Sequence, residues 1–370
     1  MQGFLLPFVR HFRNLGWRVD GMAEGISSSP ECVEAFEHVL EVTWSRNPLN
    51  PSNLLVAPRQ IMQAIHEGSY DLVHVHTPIA AFVTRFALRF LQKSGTPKVI
   101  YTAHGFHFNA NSRSPKNLIF LYLEKIAGKW TDYLVIMNRE DQSLAEKHKL
   151  VPSNRLLYMP GIGVDTRQTA PENVSAQQVE AIRNQLGLSG EQTLFSMLAA
   201  FEPRKRHQDV LHALASLGNP NIHLALAGSG PLLAQMQELA SQLGIAQQVH
   251  FLGHCRDVVA LIRASAATIL PSAREGLSRS VLESLSLAVP VIGTDVKGIR
   301  DLLASGCGLL VKVGDTDALA RAMAWVAQYP DKARAMGEAG RREMAHYDTA
   351  QIVELHDQLY ARALADVGRV

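Results

Sequence analysis

Short apolar runs alternate with longer amphipathic stretches along this chain, and the alternation stops once, near the middle, and then starts again. An apolar run too brief for a helix, followed by a segment of helical period, is the pattern of a βαβ unit. Repeated, it dictates a parallel sheet covered by helices on both faces. In the first half, strands are expected at residues 17–22, 71–76, 98–103, 133–137 and 155–159, with helices over 4–15, 54–66, 79–92 and 116–129 between them. From Pro160 to about 191 the chain turns rich in Gly, Pro, Ser, Asn and Gln and shows no strand pattern. The second half then gives strands at 193–198, 222–227, 249–252, 267–270, 289–293 and 309–311, with helices over 208–217, 232–243, 258–264, 279–287 and 316–327.

The division that follows is a first domain over residues 1–165, a connection over 166–190, a second domain over 191–347, and a terminal helix in 348–370, free to pack back on the first domain. The fold class is α/β with two Rossmann-like, doubly wound domains in tandem. Such sheets bind ligands outside the carboxyl ends of their strands, here in the cleft expected between the domains.

A length of 370 residues suits two ordinary domains, and 47% hydrophobic against 19% charged residues describes a well-packed globular protein. A net charge of +2 with no Lys/Arg-rich block speaks against nucleic acid as a partner. The first half is slightly basic and the rest slightly acidic, which suits either an anionic partner at the first domain or an ordinary solvated surface. Cys32, Cys255 and Cys307 are far apart and form no CxxC pair, so neither zinc nor a disulfide framework is implied, and a reducing, cytoplasmic setting is expected. No apolar run approaches the ~18 residues that span a bilayer. The expected location is the cytoplasm, or the inner face of the membrane if the protein attaches peripherally.

The most informative stretch is Ile269-Leu-Pro-Ser-Ala-Arg-Glu-Gly-Leu-Ser-Arg-Ser-Val-Leu-Glu283. A strand ends at Leu270 and a helix starts near Ser278. The amides of Gly276, Leu277 and Ser278 therefore stand at a positive helix end, suited to a pyrophosphate. Glu275 at the loop tip and Glu283 in the helix could hold hydroxyl groups at two ends of an extended ligand. A solvated loop followed by an ordinary helix reads equally well from spacing alone. Phe201-Glu-Pro-Arg-Lys-Arg-His207 offers consecutive cations after another strand, either for phosphate or as a solvated basic loop. Gly228-Ser-Gly230 lacks the rest of a GxGxxG fingerprint and its acidic partner, which argues against NAD. His74 and His76 alternate on a strand, where burial is the better reading than metal ligation; the same holds for His104 and His107.

With these residues in view the chain resembles glycosyltransferase family 4, retaining enzymes of the GT-B fold. Glu275 to Glu283 matches the family's E-x7-E motif. Asp71-Leu-Val-His-Val-His-Thr-Pro78, Tyr101-Thr-Ala-His-Gly-Phe-His-Phe108, Gly161-Ile-Gly-Val-Asp165, Ala227-Gly-Ser-Gly-Pro231 and Val249-His-Phe-Leu-Gly253 follow in the family's order and spacing. The resemblance implies catalytic roles for His104, Glu275 and Lys205. It implies donor binding by Arg204, Gly228, Gly230, Gly276, Leu277, Ser278 and Glu283, with Glu275 at the donor sugar and Glu283 at the ribose. Where the family often has an arginine, this chain has Ala200.

The donor implied is a UDP-sugar, with no metal and no other cofactor. The TAHGFHF version is similar to the subgroup that builds capsules, exopolysaccharides and lipid-linked oligosaccharides, so the acceptor implied is a glycan or an undecaprenyl-diphosphate-linked sugar. A UDP-sugar epimerase of the same architecture and a catalytically silent, nucleotide-sugar-binding subunit are the alternatives. The helix at 116–129, flanked by Lys116, Lys125 and Lys129, reads better as a core helix of the sheet than as a membrane-contacting one. The family also opens with a strand that has no counterpart here. The resemblance thus implies that the first strand of the N-terminal domain is missing, with Met1-Gln-Gly3 the tail of its loop. A strand ahead of Met1, a neighbouring segment in the slot, or an impaired first domain would each answer to that.

Overall fold

The computed structural model describes residues 5–45, 47, 50–91, 95–109, 114–190 and 192–365. They form two compact units, one up to Ile162 and again from Thr349 onward, the other Gly163–Asp348. All named strand pairs in both are parallel.

The first unit contains α1 (Leu6–Asn14), β1 (Gly21–Ala23), α2 (Pro30–Ala35), β2 (Val39–Glu41), α3 (Ser52–Leu55), α4 (Ala57–Gly68), β3 (Leu72–His76), α5 (Pro78–Leu88), β4 (Lys98–Ala103), α6 (Pro115–Gly128), β5 (Tyr133–Ile136), α7 (Arg139–His148) and β6 (Leu156–Tyr158). Its strands fall into two sheets, β1–β2 and β3–β4–β5–β6, which no described strand joins. Met1-Gln-Gly3 lies outside the described residues. The strand expected at 17–22 is shorter and later. Arg18 and Asp20 pair with each other at 2.7 Å, and Asp20 also accepts from the Tyr70 hydroxyl at 2.5 Å, so this stretch is held by side chains rather than by a ladder. β2 was not expected; none of its three residues is fully buried, so it leaves no apolar run to read.

Core formation follows the alternation closely. Ile100, Tyr133 and Val135 from β4 and β5 bury one face of the larger sheet against Phe8 and Phe12 of α1. Helix α16 (Thr349–Ala365) completes that layer with Ile352, Val353, Leu359 and Ala363. On the opposite face Tyr101, Ala103, Leu134 and Ile136 bury against Phe106, Phe108 and Leu144. Helix α6 departs from the core-helix reading. Phe120 and Leu121 do pack on the core, but Leu118, Ile119 and Tyr122 are 56%, 59% and 66% exposed. What α6 buries fully is Asn117, whose side chain exchanges hydrogen bonds with the Asn109 backbone, and Ala127 and Gly128, where its C-terminal end runs so close to Leu150 that a β-carbon on Gly128 would stand 1.9 Å from the Leu150 carbonyl oxygen.

The second unit contains α8 (Ala176–Gln185), β7 (Thr193–Leu198), α9 (His207–Leu217), β8 (Ile222–Ala227), α10 (Leu233–Gln242), β9 (Val249–Gly253), α11 (Val258–Arg263), β10 (Ala267–Leu270), α12 (Arg279–Ser286), β11 (Val291–Thr294), α13 (Ile299–Leu303), β12 (Gly308–Val311), α14 (Thr316–Gln328) and α15 (Pro330–Glu343). The segment expected as a connection is partly built into this unit. Ser175 and Gln178 form a reciprocal capping box that starts α8, whose Val179 and Ile182 pack beside Leu194 and Leu261. Helix α15, also not expected, is half charged and buries only small residues, Ala333, Gly337 and Gly340.

The six-stranded sheet runs β12–β11–β10–β7–β8–β9. From β7 the chain first builds outward through β8 and β9, then returns to place β10 on the other side of β7. The order reverses between β7 and β10, and the two strands' carboxyl ends part there to leave the crevice where ligands of open α/β sheets bind. Phe195, Met197, Leu224 and Leu226 fix this register by filling the core at 0% exposure.

Candidate active site

The expected phosphate loop sits at that reversal. β10 ends at Leu270, the loop carries Glu275, and α12 begins at Arg279 behind Ser278 in an extended conformation. No side chain caps α12, although Ser278 contacts the Ser280 hydroxyl at 3.1 Å. The start of α12 thus carries no side-chain cap from Ser278, and a helix start of this kind suits an anion.

Across the reversal, β7 runs into a 3-10 turn at Pro203–Lys205. The two loops are stitched together by the Ala273 amide, which donates to the Arg204 carbonyl at 2.8 Å. This brings Lys205 Nζ to 2.5 Å from Glu275 Oε1, with Arg204 Nη1 at 3.6 Å from the same oxygen. Lys205 is 9% and Glu275 8% exposed, so the pair is held where little water screens it. Arg204 is half-exposed and also pairs with Glu202 at 2.9 Å. Glu283 lies one helical turn beyond Arg279 and pairs with its Nε at 2.8 Å.

Gly228 and Gly230 lie in the loop after β8 at φ +149° and +153°. A β-carbon on Gly228 would stand 2.1 Å from the Ala199 carbonyl oxygen, and one on Gly230 2.7 Å from that of Phe201. Close approach to the loop after β7 is thus enough to require glycine at both. Leu277 packs beside Val281 and Ile299.

One residue that the sequence did not single out is Gly298, just ahead of α13. At φ +82° its missing β-carbon would lie 2.1 Å from the Gly276 carbonyl oxygen and 3.3 Å from that of Glu275. The turn carrying Gly276 is therefore braced from behind by the loop after β11. Nothing in the sequence around Gly298 tells which loop it touches.

His104 belongs to the other unit, in the loop after β4. Its Nε2 lies 3.1 Å from His76 Nδ1 at the end of β3, a contact in which one ring donates and the other accepts. Burial pushes the His104 pKa down to about 4, which keeps the imidazole neutral. His74 is spoken for on both ring nitrogens, by the Tyr360 hydroxyl at 2.5 Å and Thr102 Oγ1 at 2.7 Å. His107 stands edge-on to Phe120. Among the described residues no group of three or more His, Cys, Asp and Glu side chains is placed to hold a metal ion. In chemical terms, the second unit joins a buried Lys–Glu pair, a further guanidinium and an uncapped helix end within one crevice. The first offers a neutral imidazole at a strand's carboxyl end.

Comparison with known proteins agrees with this architecture. Residues 4–168 match the family model described as Glycosyltransferase Family 4, and residues 178–343 that described as Glycosyl transferases group 1. The chain is 33% identical over 363 residues to EpsD of Bacillus subtilis (strain 168), named as a glycosyltransferase, covering 97% of this chain and 93% of that one. It is 26% identical over 269 residues to the Escherichia coli UDP-Gal:alpha-D-GlcNAc-diphosphoundecaprenol alpha-1,3-galactosyltransferase, covering 71% of this chain and 68% of that one. Among solved structures, HepE of Anabaena in complex with UDP superposes with a TM-score of 0.80 at 18% identity, over 97% and 95% of the two chains. WaaG, a glycosyltransferase involved in lipopolysaccharide biosynthesis, superposes with 0.74 at 18% identity, over 95% and 94%. The GT-B fold, the two matched models and the similarity to EpsD along nearly the whole length of both chains make this protein a glycosyltransferase of family 4.

Proposed function

We propose that the protein transfers a sugar from a UDP-sugar, with retention and without a metal, to a lipid-linked or glycan acceptor in the synthesis of a bacterial surface polysaccharide. The observation that carries the donor half is the buried Lys205–Glu275 pair facing the uncapped start of α12. A diphosphate placed there meets the fixed positive charge of Lys205 and Arg204 and the amides of Gly276, Leu277 and Ser278. Charge developing on the leaving group is then stabilised without a metal ion. Glu275 is left to the donor sugar and Glu283 to the ribose, while the backbone at Gly228 and Gly230 lines the neighbouring strand end. His104, kept neutral, can donate to or accept from a sugar hydroxyl but carries no charge to repel or attract one.

In the reaction the bond from the anomeric carbon to the diphosphate breaks, and a bond from the acceptor oxygen forms on the same face. The acceptor's proton passes to the departing diphosphate. The protein's part is positioning and charge stabilisation. The lipid-linked acceptor and the UDP donor draw support from the E. coli relative, whose name states both.

The test is product analysis. The chain is incubated with individual UDP-sugars and an undecaprenyl-diphosphate-linked sugar, with and without excess EDTA, and the products are weighed by mass spectrometry and their anomeric configuration read by NMR. A new glycosidic bond with the donor's configuration, formed in EDTA, is expected. Epimerised donor would give the protein to the epimerases, and unchanged donor to the silent subunits. Activity lost in EDTA and restored by magnesium or manganese would overturn the metal-free site.

A further inference from the structure

A row of imidazoles crosses a face of the first unit that is otherwise largely apolar. His74 and His76 are two residues apart on β3 and so share one side of the sheet. The parallel register sets His76 beside Thr102 of β4, two residues before His104. The same side carries Ile100 and is covered by Phe8 and Phe12 of α1 and by Ile352, Val353 and Leu359 of α16. Aliphatic side chains would fill this layer at no polar cost, whereas each imidazole must find partners there.

The partners form a run of contacts from α16 to His104. His356 of α16 donates from Nδ1 to the Ile352 carbonyl at 2.7 Å. His74 meets the Tyr360 hydroxyl of the same helix at 2.5 Å through Nδ1 and Thr102 Oγ1 at 2.7 Å through Nε2, so its ring cannot turn without breaking two bonds. His76 lies against that fixed ring, with centroids 4.3 Å apart and 31° between the planes. Its Nδ1 then reaches Nε2 of His104 at 3.1 Å. Burial, and then the neighbouring imidazoles, hold His76 well below its ordinary pKa, and burial does the same at His104. Both rings are therefore neutral. A bond between two neutral imidazoles needs a proton on one of the facing nitrogens and a lone pair on the other. Whichever ring donates, His104 is held to a single tautomer, and its Nδ1 takes the role that its Nε2 does not.

We infer, on the reading that His104 meets the donor sugar, that His76 is a positioning residue: it fixes the orientation and the tautomer of His104. His74, clamped by Tyr360 and Thr102, is the backing that keeps His76 in place. An imidazole offers a sugar hydroxyl either a proton or a lone pair, and a ring free to exchange tautomers presents the wrong one part of the time. His76 itself touches no reacting atom and acts through His104.

Long-range 1H–15N spectra of the histidine-labelled full chain read the tautomer directly and need no substrate. His104, assigned by its loss in His104→Ala, is expected to show one neutral tautomer in the parent and averaged nitrogen shifts in His76→Leu. The His11 and His356 signals report that the first unit is intact. Turnover of a UDP-sugar with an undecaprenyl-diphosphate-linked sugar should fall about tenfold to a hundredfold in His76→Leu. His76→Gln should fall as far, because its amide lies too far out along the side chain. His76→Asn, whose amide atoms stand where Nδ1 does, should keep most of the parent's rate. A role in packing alone would favour the larger Leu and Gln over Asn. His76→Leu combined with His104→Ala should lose no more than His104→Ala alone. An unchanged His104 tautomer in His76→Leu, a His76→Asn rate as low as that of His76→Leu, or losses that multiply in the double variant would overturn the inference. His104→Ala with the parent's turnover would overturn the reading of His104 as a sugar contact, while the spectra would still decide whether His76 holds its ring.

Discussion

Removing one partner of the Lys205–Glu275 pair tests the site most directly. At 2.5 Å and an effective dielectric of about 20, the attraction is worth about 7 kcal/mol, set against the cost of taking both groups out of water. Glu275→Gln leaves a buried ammonium and Lys205→Met a buried carboxylate, each expected to destabilise the second unit by about 3–5 kcal/mol. The double variant should cost no more than either single one, a coupling of about 3 kcal/mol. Urea unfolding measures it, read from whichever transition the single variants move, because two units need not unfold together. Titration calorimetry with UDP then separates the roles. Glu275→Gln frees Lys205 for phosphate, so UDP affinity should hold or rise while turnover falls about a hundredfold. Lys205→Met should weaken UDP roughly tenfold to a hundredfold. Stability effects that add within about 0.5 kcal/mol, or equal losses of UDP affinity in both variants, would refute the reasoning.

Glu283→Gln should weaken UDP and UDP-sugar by the same factor, because the ribose is common to both; calorimetry with the two ligands checks this. Gly298→Ala forces a β-carbon toward the Gly276 carbonyl at a left-handed φ, so it should destabilise the second unit by about 2 kcal/mol or more and weaken UDP binding along with it. A thermal scan with and without UDP reads both effects. His207 is buried against Phe201 with ring centroids 4.1 Å apart, and burial pushes its pKa down to about 4. The unfolded chain binds that proton below about pH 6.5 and the folded one does not. Stability is therefore full above that pH and lost as pH falls toward 4, by about 2 kcal/mol at pH 5 for this one group. His207→Leu should flatten the pH dependence of the second unit's melting by that amount.

Much of this protein could be read before any coordinates. The repeated alternation of apolar runs and amphipathic stretches determines parallel sheets in both halves, since hydrophobic period decides element type locally and a helix between successive strands is the crossover that parallel pairing needs. Glu275, Glu283 and the turn between them are likewise legible, because a loop that opens a helix at a strand's carboxyl end is written in contiguous residues. The three-residue β2 and the highly polar α15 escaped because they bury too little apolar surface to leave a pattern, and α8 because its capping box sits in a stretch that otherwise looks like a linker. What only the tertiary structure decided are contacts between loops that the chain order keeps far apart. Lys205 and Glu275 meet because β10 returns to pair with β7, and Gly298 braces Gly276 because β11 lies beside β10. The same holds for α6, whose apolar composition suggested a core helix. Which way a helix turns its apolar residues depends on the neighbours that close over it, and here Leu150 claims the end carrying Ala127 and Gly128 and leaves Leu118, Ile119 and Tyr122 outside.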